Sequence, residues 1–209
     1  MAKASWCYVS PMTGSEDGTL VISAAAHAGR DDRSTTVTVT AKNGGTPSAS
    51  VEVIQAGTGV QLEMDTTKPN LPGEGGSVTI NGRSNSPTLK ISIPLIDFPG
   101  VTASAMLSVP GVINSKVLSA LETITIPGDV GADKPYQFVI SLNITRNPLP
   151  TPLAPNVDVT DSTGKMVRCQ FGWAAGASTI ALAEDVIALE NDGTAKRVDV
   201  TSNDEWAVS

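Results

Sequence analysis

Hydrophobic and polar residues alternate with a period of two along much of this chain. The clearest runs are residues 36–40, 50–55 and 196–201, where valine or isoleucine alternates with polar side chains. Because successive side chains of a strand point to opposite faces, this pattern predicts half-buried β-strands. Further short apolar runs predict strands at 19–23, 61–65, 77–82, 88–93, 101–107, 122–126, 136–145, 166–172 and 186–190.

Glycine, proline, asparagine and aspartate separate these runs, for example at 72–76 and 127–129. Short strands divided by such turns are typical of an antiparallel β-sandwich and not of βαβ units. Residues 113–121 are the exception, because their apolar residues follow helical spacing and predict one short helix. Residues 149–155 contain three prolines, which predicts a loop.

Two stretches of small residues, at 57–59 and 174–177, divide the chain into three pieces. They predict boundaries that give pieces 1–58, 59–177 and 178–209. The middle piece is long enough for a complete sandwich. The two terminal pieces hold too few strands to bury a two-sheet core alone, so each needs a partner.

The terminal pieces carry a pattern that continues from one end of the chain to the other. Residues 6–14 read Trp-x-x-Val-Ser-Pro-x-x-Gly, and residues 51–57 read Val-x-Val-Ile-Gln-Ala-Gly. This resembles the second half of a BACON domain, an immunoglobulin-like β-sandwich of proteins from gut Bacteroidetes and their phages. Residues 186–209, which end on Trp-Ala-Val-Ser, resemble the first half of the same domain.

The resemblance implies an all-β chain with one complete immunoglobulin-like sandwich at 59–177 and a BACON-like sandwich split between 1–58 and 178–209. The last piece would complete the first piece of a neighbouring chain, head to tail, or of the same chain. The linker that follows the middle piece has about four residues and reaches at most ~14 Å. This short reach makes it difficult for the last piece to fold back past the middle piece, which favours the neighbouring chain. The expected assembly interface comprises Trp6, Val9, Val198, Val200, Trp206 and Val208.

The composition argues against most kinds of catalytic site and metal site. Among the 209 residues His27 is the single histidine, and it has no serine, cysteine or second base at a recognisable spacing. Cys7 and Cys169 are far apart and sit in strand-like apolar runs, so we expect buried free thiols; only geometry can decide on a disulfide. We therefore expect no enzyme, no metal site and no cofactor.

Charge and hydropathy limit the partners. The net charge of −7 argues against a nucleic-acid interface, which needs a basic face. No run of 18 apolar residues is present, so we expect no membrane span. The start of the chain lacks the apolar segment of a secretory signal, which favours a protein made in a cytoplasm.

Together these observations favour a virion structural protein, resembling those of crAss-like phages that infect gut Bacteroidetes. We expect a capsid decoration or auxiliary protein, or a head-fibre component, that binds itself head to tail or binds other capsid proteins. A tail or baseplate component is a further alternative. The other alternative is a carbohydrate- or mucin-binding adhesion module that binds host glycans, in which Trp6 and Trp206 would stack on sugars.

Overall fold

The computed structural model describes residues 3–43 and 47–209, which form fifteen β-strands and two short 3₁₀ helices. Every strand pairing is antiparallel, so the predicted all-β sandwich class is confirmed. The strands are β1 (Cys7–Ser10), β2 (Val21–Ala24), β3 (Arg33–Thr40), β4 (Ser48–Gln55), β5 (Leu62–Met64), β6 (Gly76–Ser84), β7 (Thr88–Ser92), β8 (Ala103–Val109), β9 (Ile113–Leu118), β10 (Leu121–Thr125), β11 (Tyr136–Ile144), β12 (Asn156–Thr160), β13 (Met166–Gln170), β14 (Ile180–Leu182) and β15 (Val200–Ser202). The 3₁₀ helices are Pro94–Asp97 and Pro127–Asp129. No helix in these two ranges is long and apolar enough to cross a bilayer.

Two sheets pack on each other in the middle of the chain. One has five strands in the order β5-β6-β11-β8-β9, and the other has four in the order β10-β7-β12-β13. Their inner faces share one aliphatic core, which runs in sequence from Leu62 to Trp173. Among the described residues, Cys7 and Val37 are the only buried hydrophobic side chains outside this sandwich.

β11 illustrates how the alternating pattern builds this core. Phe138, Ile140 and Leu142 point inward and are fully buried or nearly so. Gly82 lies directly opposite Phe138 on β6, and a Cβ at Gly82 would lie 2.1 Å from the tip of the phenyl ring. A glycine here therefore gives the ring the space that lets the two strands pair without displacing it.

Several local predictions differ from the structure. Of the predicted run 196–201 only β15 forms, because its partner β14, which was not predicted, is just three residues long. Residues 113–118 form strand β9 instead of a helix, because the Pro110-Gly111 turn returns the chain alongside β8, which offers an unpaired edge. β12 directly follows the proline-rich loop and was not predicted. Residues 186–190 form no strand, since no neighbouring strand in this chain pairs with them.

Outside the middle sandwich, the described residues form three separate hairpins. β1 pairs with β2 and β3 pairs with β4 in the N-terminal piece, and β14 pairs with β15 in the C-terminal piece. A lone two-stranded hairpin is only marginally stable in water. The terminal pieces thus differ from the middle in having strands but almost no enclosed core.

Candidate assembly surfaces at the two ends of the chain

One face of the β3–β4 hairpin is only partly covered. Val37 pairs directly with Val51, and Val39 pairs with Ala49, so these four side chains share one face. Val37 is buried, yet Val39 is 53 % exposed and Val51 is 50 % exposed. We call Val39, Ala49 and Val51 the N-terminal open face. This face of the hairpin is therefore buried at Val37 and exposed at Val39. The exposed part is apolar surface that a further strand could bury.

The opposite end of the N-terminal piece is closed by Arg33. Its guanidinium lies 4.4 Å from the centre of the Trp6 ring, a cation–π contact that leaves Trp6 half-buried. The same guanidinium donates to Gln55 Oε1 at 2.8 Å and to the Ala25 carbonyl at 3.0 Å. Val9, also half-buried, pairs with Ile22 across β1 and β2. Trp6 and Val9 therefore already pack within the N-terminal piece.

Arg30 fastens the N-terminal piece to the middle sandwich. Its guanidinium donates to both carboxylate oxygens of Asp129, at 2.9 and 2.7 Å, and to the Asn85 carbonyl at 2.9 Å. Its backbone N–H donates to the Ala132 carbonyl at 2.8 Å. The hydrogen bond from Arg30 lowers the pKa of the Asp129 carboxyl. These bonds place the N-terminal piece beside Tyr136, at the start of β11.

Asn85 and its neighbours hold the linker between the two pieces. The buried Asn85 amide accepts from Gln61 N at 2.6 Å and donates to the Gly59 carbonyl at 2.8 Å. Nearby, Tyr136 donates its hydroxyl proton to the Ser86 carbonyl at 2.7 Å, and burial raises the pKa of Tyr136 to about 12. This junction is a hydrogen-bonded block, and the small residues at 57–59 do not act there as a free hinge.

The C-terminal hairpin has one side on which two of its three apolar side chains are exposed. Ile180 pairs with Ser202 and Leu182 pairs with Val200, so Ile180, Leu182 and Val200 lie on the same side. Leu182 is 58 % exposed and Ile180 is similarly exposed. Most of the apolar side chains in residues 186–190 are also exposed. We call residues 178–209 the C-terminal segment.

Asn203 fixes this segment at the other end of the middle sandwich, and Asn147 holds the chain just before the segment begins. Asn203 Nδ2 donates to the Pro148 and Ala177 carbonyls, both at 3.1 Å. Asn147 is buried and its Nδ2 donates to the Ala174 carbonyl at 3.0 Å. Pro148 follows the end of β11 at Ile144. The two terminal pieces therefore attach near opposite ends of the same central strand.

The structure groups the expected interface residues into two separate sets. Trp6 and Val9 lie in the N-terminal piece. The other four lie in the C-terminal segment. There Val198 and Val200 are half-buried, and Trp206 and Val208 are exposed. The chain does not bring the two sets together. Sequence reasoning also left Val39, Val51, Ile180 and Leu182 out of the interface, although the first two belong to alternating runs that it had identified.

The histidine and the two cysteines have structural surroundings. His27 Nε2 is 2.8 Å from the Asp31 carbonyl oxygen, and the Gly29 N–H donates to His27 Nδ1 at 3.4 Å, so both ring nitrogens face backbone. Cys7 and Cys169 are both buried free thiols, and burial raises the pKa of Cys169. Within residues 3–43 and 47–209 no three His, Cys, Asp or Glu side chains form a metal-binding group.

Comparison with known families identifies the class of the N-terminal piece. Residues 1–56 match the family model described as "BACON: Putative binding domain, N-terminal". The BACON resemblance is therefore confirmed for about a quarter of the chain, the part that holds β1–β4. No curated protein matches the sequence.

Several solved structures are similar to this chain at low identity. CfaE, the adhesive subunit of the CFA/I fimbria of enterotoxigenic Escherichia coli, is 11 % identical over 71 % of this chain and 59 % of its own, with a TM-score of 0.42. BcpA, the major pilin subunit of Bacillus cereus, is 9 % identical over 90 % of this chain and 66 % of its own, with a TM-score of 0.38. This chain thus spans less than two thirds of either protein. At these TM-scores the likeness carries no argument about function.

Proposed function

We propose that this chain is a non-enzymatic structural subunit of a phage virion, a capsid decoration or head-fibre component that binds partner proteins by strand complementation through its two ends. One observation carries the proposal. A sandwich with a finished core is flanked on both sides by strand hairpins whose apolar faces are open. A protein that works alone gains nothing from such faces, because exposed apolar strands invite pairing with other chains.

The family match supports the binding part of this proposal. Residues 1–56, which match a binding-domain family, are the residues that form the N-terminal open face and its hairpins. The phage assignment rests on the resemblance drawn from the sequence. The acidic chain, with a net charge of −7, fits protein partners better than nucleic acid.

Purified particles provide the test. Virions from a phage that encodes this chain are banded on a density gradient, and the band is analysed by mass spectrometry and by immunogold labelling. We expect the chain in the band and gold on the capsid. Gold on the tail or baseplate would move the protein to that part of the virion. A chain found only in the soluble fraction would refute the virion proposal.

A second function, binding of host glycans or mucin, is favoured by the surroundings of Trp206. Its ring is 54 % exposed and lines a shallow groove with Pro150, Thr151 and the polar residues 202–205. Aromatic faces beside polar groups suit sugar recognition. Trp6 is less suited, because Arg33 stacks on its ring.

A glycan array tests this second function directly. Wild-type protein should bind a subset of glycans or mucin, and W206A should lose the signal. V117A, which alters an exposed side chain of β9 in the middle sandwich, is the matched control and should bind as wild type does. No binding by folded wild-type protein would end the glycan hypothesis and would leave the virion proposal intact.

A further inference from the structure

We propose that the C-terminal segment of one chain binds the N-terminal open face of a second copy of this chain, so that copies join head to tail into an open fibre. This rests on the proposed function and names the partner and the polarity of the contact.

Exposed large apolar side chains concentrate in the two terminal pieces. Seven lie in the described part of residues 1–58 and seven in residues 178–209, whereas the longer middle piece has five. Both sets belong to strands or to strand-like runs, such as β3, β4 and β14. Each terminal piece thus presents apolar surface that a complementary piece could cover.

The strand numbers of the two pieces are complementary. The N-terminal piece contributes four strands, and the C-terminal segment contributes two plus the unpaired apolar run 186–190. A constant-type immunoglobulin sandwich has seven strands. One N-terminal piece and one C-terminal segment therefore supply what one such sandwich needs, in the one-to-one ratio in which every chain contains them.

The positions at which the two terminal pieces attach to the middle sandwich favour a contact between two molecules over one within a single chain. Arg30 holds the N-terminal piece at the start of β11, and Asn203 holds the C-terminal segment just beyond its end. The nine residues of β11 span about 26 Å at ~3.3 Å per residue. The two pieces of one chain are therefore attached at opposite ends of β11, and the exposed apolar side chains of each are available to another molecule.

Charge favours head-to-tail over tail-to-tail contact. Residues 178–209 carry seven acidic and two basic side chains, whereas residues 1–58 carry five acidic and four basic side chains. Two C-terminal segments would repel each other, because like charges brought close together oppose association. The nearly neutral N-terminal piece does not impose that repulsion.

Fixed junctions favour a fibre over a small ring. The Arg30 bonds hold the N-terminal piece, and the bond from Asn203 to the Pro148 carbonyl holds the C-terminal segment, at opposite ends of the middle sandwich. A head-to-tail contact closes into a ring only if the rotation between copies returns to the start; otherwise it continues as an open assembly. Surfaces at opposite ends of a straight unit extend the assembly along one direction.

Two variants of the full chain test the contact, with mass measured by analytical ultracentrifugation over a range of concentrations. L182D alters the C-terminal hairpin and V39D alters the N-terminal open face. Both residues are more than half exposed in the single chain, so neither belongs to its buried core. V117D, at a site on β9 that is 71 % exposed, is the matched control. L182T and V39T are gentler versions that keep strand preference.

The outcomes separate the alternatives. Wild type and V117D should form species that lengthen with concentration, and each of L182D and V39D alone should stay at the mass of one chain. An equimolar mixture of L182D and V39D should form a dimer of two chains and nothing longer, because one intact surface of each type remains. A wild type that stays monomeric, variants that still lengthen, or a mixture that stays monomeric would each overturn the proposal.

This result is independent of the virion test. A chain present in particles but monomeric in solution at every concentration would refute the head-to-tail contact and leave the virion role standing. A chain that forms fibres but is absent from particles would do the reverse. Negative-stain images of wild type should show unbranched threads, and closed rings of uniform size would refute the open-fibre geometry.

Discussion

Replacing Arg30 with alanine should loosen the N-terminal piece without weakening the middle sandwich. The Arg30 side chain is 11 % exposed, and it makes two short bonds to Asp129 and one to the Asn85 carbonyl. Alanine removes these three bonds and a longer one, at 3.4 Å, to the exposed Asp31 carboxylate. Asp129, at 42 % exposure, can be solvated after the loss, whereas the carbonyl of buried Asn85 has less access to water.

The size of the effect follows from these exposures. A hydrogen bond to a charged group is worth about 1.5–3 kcal/mol when well shielded. The exposure of Asp129 reduces the ion-pair part to about 1 kcal/mol. The lost bond to the Asn85 carbonyl adds about 1 kcal/mol. A total of about 2 kcal/mol corresponds to a ~30-fold change in the opening equilibrium of the junction.

Native-state hydrogen exchange measures this opening directly. The amide of residue 30 donates to the Ala132 carbonyl and the Gly59 amide donates to the carbonyl of residue 30, so the exchange of both amides should accelerate about 30-fold in R30A. The amides of Ile140 and Leu142 in β11 should not change. R30K keeps the charge but loses the two-pronged contact, and it should recover only part of the protection. Unchanged exchange at the junction, or equal acceleration in β11, would refute the reasoning.

Two further predictions concern the same two regions. I140A deletes part of a fully buried side chain and should cost about 3 kcal/mol in the free energy of unfolding, measured by urea denaturation, whereas V117A should change it by less than about 0.5 kcal/mol. Acid should open the junction: Arg30 lowers the pKa of Asp129, so its contribution is complete above the unfolded pKa of about 4 and is lost as pH falls through the lower folded value. The protection factor of the amide of residue 30, which donates to the Ala132 carbonyl, should fall below about pH 4 in wild type, and R30A should lack this fall.

Sequence reasoning predicted the sheets well where alternation coincides with burial. The run 136–145 matches β11, because Phe138, Ile140 and Leu142 all point into one core. It was wrong at 113–121, where four apolar residues fit a helical period while the Pro110-Gly111 turn directs the chain along β8. Local spacing cannot reveal that a neighbouring strand offers a free edge, and pairing at that edge decides the conformation.

The candidate surfaces were predicted less completely. The sequence motifs pointed to Trp6 and Trp206, since tryptophans stand out in a chain with three of them. Exposure of Val39 and Leu182 depends on what covers them in three dimensions, which periodicity does not encode. The Arg30–Asp129 contact joins residues 99 positions apart, and such long-range ion pairs have no local signature.

The middle sandwich determines the geometry of any assembly that the ends make. Its core is complete. Arg30 and buried Asn85 attach the N-terminal piece, and Asn203 attaches the C-terminal segment at the Pro148 carbonyl, so both attachments are hydrogen-bonded contacts. Distance and rotation between the two terminal surfaces are thus properties of β11 and its sheet, not of the terminal strands. Substitutions at Val39 or Leu182 should change how tightly copies associate. Substitutions at Arg30 or Asn147 should leave that affinity largely intact and make the angle between successive copies variable, so that threads bend. Straightness and affinity are therefore separable, because different residues control them.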